Sequence, residues 1–287
     1  MKKFAVVLSS VALLGLTAVG CGTSNNSGGS GGGNSTGQST GGSGSGATSF
    51  VLGTSPTYPP FETKKNGKLT GFDIEMIHDI AKLENLKIKN TRTMQFSGLI
   101  PALVSDQVDV AVAGFTIKKT RMQKVNFSNA YYLSGQSILV RKNSSITGLK
   151  DLKGKVVAVK KATTGADFAT SKGLKNLKQF NTTSQLYSAL MSGSVSAVIF
   201  DNPGNSSFAK DHSSKVKVVG GMLTGEYYGI AVSKKKPELL KKINAGLKKM
   251  QSDGEYKKLY KKYFGSDTNG IITSVMTPKQ VVAKSSS

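Results

Sequence analysis

Two stretches of this chain repeat one another. SGLIPALVSDQVDVAV, from Ser97, and SQLYSALMSGSVSAVI, from Ser184, coincide in register at Ser97 and Ser184, Leu99 and Leu186, Ala102 and Ala189, Leu103 and Leu190, Ser105 and Ser192, and Val108 and Val195. Each reads as a helix, a turn and a buried strand, and the two lie 87 residues apart. Two origins are open: convergence on a common helix-to-strand pattern, or two α/β lobes of related architecture. In the second case Ala113 and Gly114 at the end of one strand correspond to Phe200 and Asp201 at the end of the other. Ligands of open α/β sheets sit beyond the carboxyl ends of the strands, so both ends would face a shared cleft.

The segment beyond the first strand fits such a cleft. After Gly114 the chain passes a hydroxyl at Thr116 and reaches Arg121. Of the 39 basic residues only three are Arg (Arg92, Arg121, Arg141). An Arg amid lysines suggests a need for a planar, bidentate donor, whose natural partner is a carboxylate; the competing reading is a solvated surface Arg. Asp201 has its own competing reading as a helix cap, since DNPGNSS is good turn and capping chemistry. Taken together, a guanidinium on one side and a carboxylate on the other suit a zwitterion. A further buried strand, Val156 to Val159, runs into Lys160, Thr163, Thr164 and Gly165 before a helix, and backbone N–H groups at a helix start favour an anion.

Upstream, a strand from Phe50 to Gly53 leads into a Pro-rich loop carrying Tyr58 and Phe61. GFDIEMIHDIAKLENL then sets Ile74, Ile77 and Ala81 on one face, with Phe72, Met76, Ile80 and Leu83 beside them: an amphipathic helix. His78 falls on its polar side and His212 in a polar loop; with two isolated His and one Cys, no metal site and no internal disulfide are expected.

The amino terminus, MKKFAVVLSSVALLGLTAVGC, has two Lys, an apolar run too short to span a bilayer permanently, and small residues before Cys21. This layout resembles a bacterial lipoprotein signal, residues 1–20, with Cys21 as the acylated residue; an ordinary signal peptide with a spare thiol is the alternative. Residues 22–49 are uncharged and almost entirely Gly, Ser, Thr and Asn. They cannot bury enough apolar surface to fold and act as a tether of about 30 Å root-mean-square reach. The formal net charge is +23, nearly all from Lys. Scarce Arg, an export signal and no groove-reading motif argue against nucleic acid, whereas attraction to anionic lipid or cell-wall polymer fits.

TYPPF at 57–61, GFD at 71–73, FSGLIPAL at 96–103, AGFTI with Arg121, FSNAYY at 127–132, DLKGKVVAVK at 151–160 and the final NAGLKKMQSDGEYKKLYKKYFG together resemble the polar amino-acid-binding lipoproteins of ABC importers, solute-binding proteins of family 3. The resemblance covers about 50–265. It implies an α/β, type II periplasmic-binding-protein fold: lobe one over 50–136, lobe two over 137–228, and a return to lobe one with C-terminal helices over 229–287. Two crossing strands join the lobes, leaving near Ser134 to Val140 and returning near Glu226 to Ala231, and a closing helix from Pro237 packs on lobe one. Carried over, the resemblance implies that Arg121 holds the ligand α-carboxylate with the N–H of Thr164. The Gly114 carbonyl, the Thr116 hydroxyl and Asp201 take the ammonium, Tyr58 and Phe96 flank the ligand side chain, and Lys160 sits near it.

The departures concern specificity. Ser55 stands where many relatives have an acid that neutralises a basic ligand, which argues against Lys or Arg. Phe200 stands where the glutamine-binding branch has a polar side chain, and Lys118 replaces a hydroxyl residue and is expected to face solvent. Glutamine or another uncharged polar amino acid is the expected ligand, with a permease and its ATPase as partners, no cofactor, and a site of work outside the cell membrane. Two other readings stand beside this one: an adhesin for acidic polymers, and a dehydratase-like enzyme on the same scaffold. For the enzyme Glu62, Asp73 and Lys160 are the titratable candidates, with Asp73 better read as a helix cap.

Overall fold

A computed structural model of the chain describes residues 48–272 and 274–284. The signal segment, Cys21 and all but the last two tether residues lie outside the described residues. The chain begins with β1 (Thr48–Thr54), a meander of β2 (Thr57–Tyr58), β3 (Glu62–Lys65) and β4 (Lys68–Thr70), then α1 (Phe72–Leu83) and β5 (Leu86–Thr93). It continues through α2 (Phe96–Val104), β6 (Val110–Ala111), the single turn α3 (Lys119–Met122) and β7 (Asn126–Phe127). β8 (Tyr132–Ser134) crosses to the second lobe. There follow β9 (Gln136–Arg141), β10 (Val157–Lys160), α4 (Thr164–Ser171), β11 (Leu177–Phe180), α5 (Thr183–Met191), β12 (Ala197–Asp201), α6 (Asn202–Asp211) and β13 (Val216–Val219). β14 (Glu226–Tyr228) crosses back to β15 (Ala231–Val232), and α7 (Pro237–Ser252), α8 (Glu255–Phe264) and α9 (Pro278–Lys284) complete the chain.

The two sheets have the same plan. One runs β5-β1-β6-β15-β7 and the other β11-β10-β12-β9-β13. In each, the second strand lies parallel to its two neighbours, and the fourth lies antiparallel to both of its own. The fourth strand is in each case the one that arrives from the other lobe. The sequence repeat occupies equivalent places: α2 leads to β6 and α5 to β12, with Val110 paired to Leu52 and Ala197 to Val157. Convergence of sequence alone would not give matching register in matching sheets. The crossing strands β8 and β14 pair antiparallel, Tyr132 opposite Tyr228 and Ser134 opposite Glu226, with the Tyr132 and Tyr228 rings stacked 5.5 Å apart.

The elements form where the apolar pattern predicts. α1 buries Phe72, Ile74, Met76, Ile77, Ile80 and Ala81 and exposes His78; each large side chain so buried contributes about 1.5–3 kcal/mol. α7 returns to the first lobe and buries Leu239, Ile243, Leu247 and Met250, with Leu240 half-buried. Gly246 permits the close approach: a Cβ there would stand 2.9 Å from Ile80 Cγ2 and 3.0 Å from Glu84 Cγ. Two expectations shift. The strand expected to end at Ala113 and Gly114 is regular only at Val110–Ala111, although Val112 N–H still donates to Gly53 O at 3.1 Å. Arg121 stands on a turn of helix, and His212 ends α6 instead of lying in a loop, its ring stacked on Phe208 at 4.1 Å. Among the described residues no helix is long and apolar enough to cross a membrane, and no group of three or more His, Cys, Asp or Glu could hold a metal ion.

Candidate functional site

The carboxyl ends of β6, β10 and β12 converge on a small pocket between the lobes, with free space of only about 10 Å³. The first lobe contributes Tyr58 from the meander, Phe96 from the start of α2, and Gly114, Thr116 and Arg121 from the segment after β6. From the second come Lys160 at the end of β10, Thr163 and Thr164 at the start of α4, and Phe200 and Asp201 at the end of β12. Nine of the ten residues expected to bind ligand therefore meet in one place. Ser55 does not line this cavity; it is buried nearby, and its hydroxyl has no partner among the described residues. A wider open groove of about 370 Å³ runs beside α5 and α6 under the stacked rings of Tyr187, Phe208 and His212, but it brings no guanidinium opposite a carboxylate.

Arg121 is buried, not solvated. Its Nη1 donates to Thr116 O at 3.0 Å and its Nη2 to Ala162 O at 3.2 Å, the latter across the cleft. Phe96 and Phe115 hold the guanidinium, whose Cζ lies 5.4 and 5.5 Å from their centroids. Burial lowers its pKa while Asp201 and Glu226 raise it, and a guanidinium keeps its proton against such a pull. Asp201 does occupy the N-cap position of α6, yet its side chain makes no cap bond. It instead accepts from Gln136 Nε2 at 2.8 Å and from the Tyr228 hydroxyl. Burial, then the Glu226 charge, pushes Asp201 up to about 6 against Tyr228, Gln136 and Lys160.

Lys160 is 2% exposed. Its ammonium donates to Thr57 Oγ1 at 3.2 Å and lies 5.2 Å from the Phe96 centroid and 5.9 Å from those of Tyr58 and Phe200. Burial lowers its pKa; Glu62 and Asp201 raise it. An ammonium has three donors, so this aromatic box favours an incoming acceptor. Thr164 opens α4, where first-turn N–H groups have no partner within the helix. Gly114 has φ +56°, and a Cβ there would stand 2.7 Å from Tyr58 Cε1, so glycine suits both the backbone and the close ring.

The cleft also contains groups that sequence reasoning missed. Glu226, on β14, accepts through Oε2 from Thr116 Oγ1 and Thr164 Oγ1, both at 2.7 Å, and through Oε1 from Gln136 Nε2 at 3.0 Å. It thus ties both lobes to the crossing strand, and the Thr116 hydroxyl donates to it. Tyr228 donates to Asp201, receives Ser134 Oγ at 3.0 Å, and its oxygen lies 2.8 Å from that of Tyr58. The signal was present: one acid inside the apolar stretch EYYGIAV must find partners if that stretch is buried. Two expectations are corrected. Asp73 is not a cap, a place held by Gly71, and its Oδ2 accepts from Gly114 N–H at 2.9 Å. Lys118 does not simply face solvent, for its ammonium meets Asp167 of α4 at 2.5 Å across the cleft mouth.

Residues 50–266 match the model of bacterial extracellular solute-binding proteins, family 3. The ABC transporter glutamine-binding protein GlnH of Bacillus subtilis (strain 168) is 33% identical over 275 residues, covering 93% of this chain and 99% of that one. The arginine-binding extracellular protein ArtP of the same organism is 33% identical over 270 residues, covering 92% and 98%. Among solved structures, an ancestral arginine-binding protein bound to glutamine superposes with a TM-score of 0.71 at 43% identity, over 76% of this chain and 98% of that one.

Proposed function

Because the chain belongs to the bacterial extracellular solute-binding proteins of family 3, we propose that it captures a free amino acid between its lobes and presents it to the permease of an ABC importer, held at the outer face of the membrane through Cys21. One observation carries the reading: a buried guanidinium from one lobe and a buried carboxylate from the other line the same cavity. Arg121 then takes the ligand carboxylate and Asp201 its ammonium. Lys160 favours a side chain with an acceptor, because a cationic side chain would set a second positive charge beside it. Glutamine is the first choice, as the name of one relative and the ligand of one structural neighbour also suggest. Turnover is no part of this reading, since the relatives are named for binding.

The test is thermal unfolding of residues 48–287 against the twenty amino acids, with Arg121→Ala alongside. This segment contains every described element and both sheets. A ligand at about 100 times its Kd stabilises by about 2.7 kcal/mol, a rise of about 5–11 °C for a domain of this size. The rise is expected with glutamine and lost in Arg121→Ala. A larger rise with arginine would overturn the ligand assignment, and no rise with any amino acid, even after refolding from denaturant, would overturn the site.

The surface supports a compatible second role. Lys241, Lys248 and Lys249 on α7 and Lys257, Lys258, Lys261 and Lys262 on α8 are all exposed, and Lys242 donates to Thr48, where the tether joins β1. We propose attachment to an anionic wall polymer on this face. Retention on such a polymer should survive Arg121→Ala and disappear at 1 M salt, where the screening length is about 3 Å; retention indifferent to salt would refute it.

A further inference from the structure

Two buried carboxyl groups stand behind the cleft with no part in the function so far. Glu62 on β3 and Asp73 in the first turn of α1 are both 0% exposed. Asp73 N–H donates to Phe61 O at 2.9 Å, and the side chains of Glu62 and Asp73 lie within hydrogen-bonding reach of one another. Among the described residues no donor reaches either Glu62 oxygen or Asp73 Oδ1. Asp73 Oδ2 accepts from Gly114 N–H and from the Tyr131 hydroxyl, both at 2.9 Å. Two ionised carboxylates have no proton to give and repel at contact; a single shared proton supplies the missing donor and removes one charge. Glu62 then donates to Asp73 Oδ1, and Asp73 keeps its charge toward Gly114 and Tyr131.

Resting on the amino-acid reading of the cleft, we infer that Glu62 and Asp73 are positioning residues for the ligand ammonium. They form a one-proton carboxyl pair whose remaining charge fixes the Gly114 loop, and a second proton releases it. Gly114 is the point of leverage. Its N–H is held by Asp73, the Tyr58 ring closes the space where a Cβ would stand, and its carbonyl is the one assigned to the ammonium. Tyr131 immediately precedes crossing strand β8, so the same carboxylate also ties the cleft to the hinge.

Burial pushes Asp73 up to about 7 against the bonds from Gly114, Tyr131 and Glu62. Burial, then the Asp73 charge, raises Glu62 well above the usual carboxylate range, with Lys160 opposing. Of the other groups near the pair, Lys160 and Asp201 carry charge, while burial holds the phenols of Tyr58, Tyr131 and Tyr256 far from ionising. An ammonium favours the ionised pair, so affinity rises as pH rises through about 7 and falls below it.

Two measurements on residues 48–287 decide this. The first is calorimetric titration with L-glutamine from pH 8 to pH 5.5, for which the wild-type Kd should rise about tenfold, the effect of a one-unit pKa change on binding. Asp73→Asn should bind more weakly at pH 8 and lose the limb near pH 7, keeping only the lower limb of Asp201. Glu62→Gln, which still offers Asp73 a donor, should bind better than Asp73→Asn and keep a limb near pH 7. Weakened binding in both variants with the wild-type pH profile would reduce the pair to a structural role and overturn the inference. The second measurement needs no ligand: infrared difference spectra of the wild type at pH 8 should contain a protonated buried carboxyl that is missing in Glu62→Gln. Its absence from the wild type overturns the pair whatever binds. If glutamine and the other amino acids all fail to bind while the band is present, the cleft reading fails and the positioning role falls with it, leaving only the shared proton.

Discussion

At Asp201 the burial that makes the carboxylate a strong partner for an ammonium also works against its ionisation. Asp201 is pushed up to about 6 and Asp73 to about 7, whereas an unfolded Asp titrates near about 3.9. Between those limits the native state binds more protons than the unfolded one, so stability falls as pH rises through the window from about 4 to 7. The ligand-free protein should therefore unfold at a higher temperature at pH 5 than at pH 8, the reverse of its ligand affinity. Asp201→Asn should flatten that dependence, and so should saturating glutamine, whose ammonium favours the ionised Asp201. Differential scanning calorimetry at a series of pH values checks this; a midpoint that falls steadily from pH 8 to pH 5 would show that neither carboxyl is strained in the empty protein.

Among the elements, α7 shows how packing can be separated from binding. A Cβ at Gly246 would meet Ile80 of α1 and Glu84, just past its end, at less than ordinary contact distance, and α7 contributes nothing to the cleft. Gly246→Leu should cost about 1–3 kcal/mol by overpacking, several degrees in midpoint, with glutamine affinity unchanged by calorimetry; a fall in affinity would mean that α7 helps set the lobe geometry. The same distinction governs what the sequence could reveal. α1, α2, α5 and α7 were legible because their apolar periodicity is local. Arg121, Lys160 and Asp201 were legible because each stands at or near the end of an apolar strand, where topology places ligands. Glu226 was not, because β14 is three residues long and its carboxylate is defined by Thr116, Gln136 and Thr164, which lie 110, 90 and 62 residues away. The Glu62 and Asp73 pair stayed hidden for the same reason: Asp73 opens a helix and looks like a cap until Gly114, 41 residues on, is found bonded to it.

For the molecule as a whole, free space of only about 10 Å³ in the pocket means that an amino acid fits there only when the lobes part about β8 and β14. The contacts across the cleft then set how often the empty protein closes. Arg121 to Ala162, Lys160 to Thr57, Thr183 to Thr57 and the Tyr58 ring against Phe200 all join one lobe to the other, and most of them border the pocket proposed to take the ligand. Lys118 and Asp167 differ. Their ion pair spans the mouth, with 32% and 62% of the side chains exposed, and neither residue lines the cavity. A pair made only in the closed form favours closure without touching ligand, and ligand that binds the closed form gains the same advantage. At such exposure the pair contributes about 0.2–1 kcal/mol, so Lys118→Thr should weaken glutamine binding by about 1.5- to 5-fold. The loss should appear mainly as faster dissociation, and raising salt should narrow the gap between wild type and variant as the exposed pair is screened. Stopped-flow dissociation at low and high salt measures both effects. Equal rates in the two proteins at low salt would mean that the open form also makes this contact, or that the lobes close without its help.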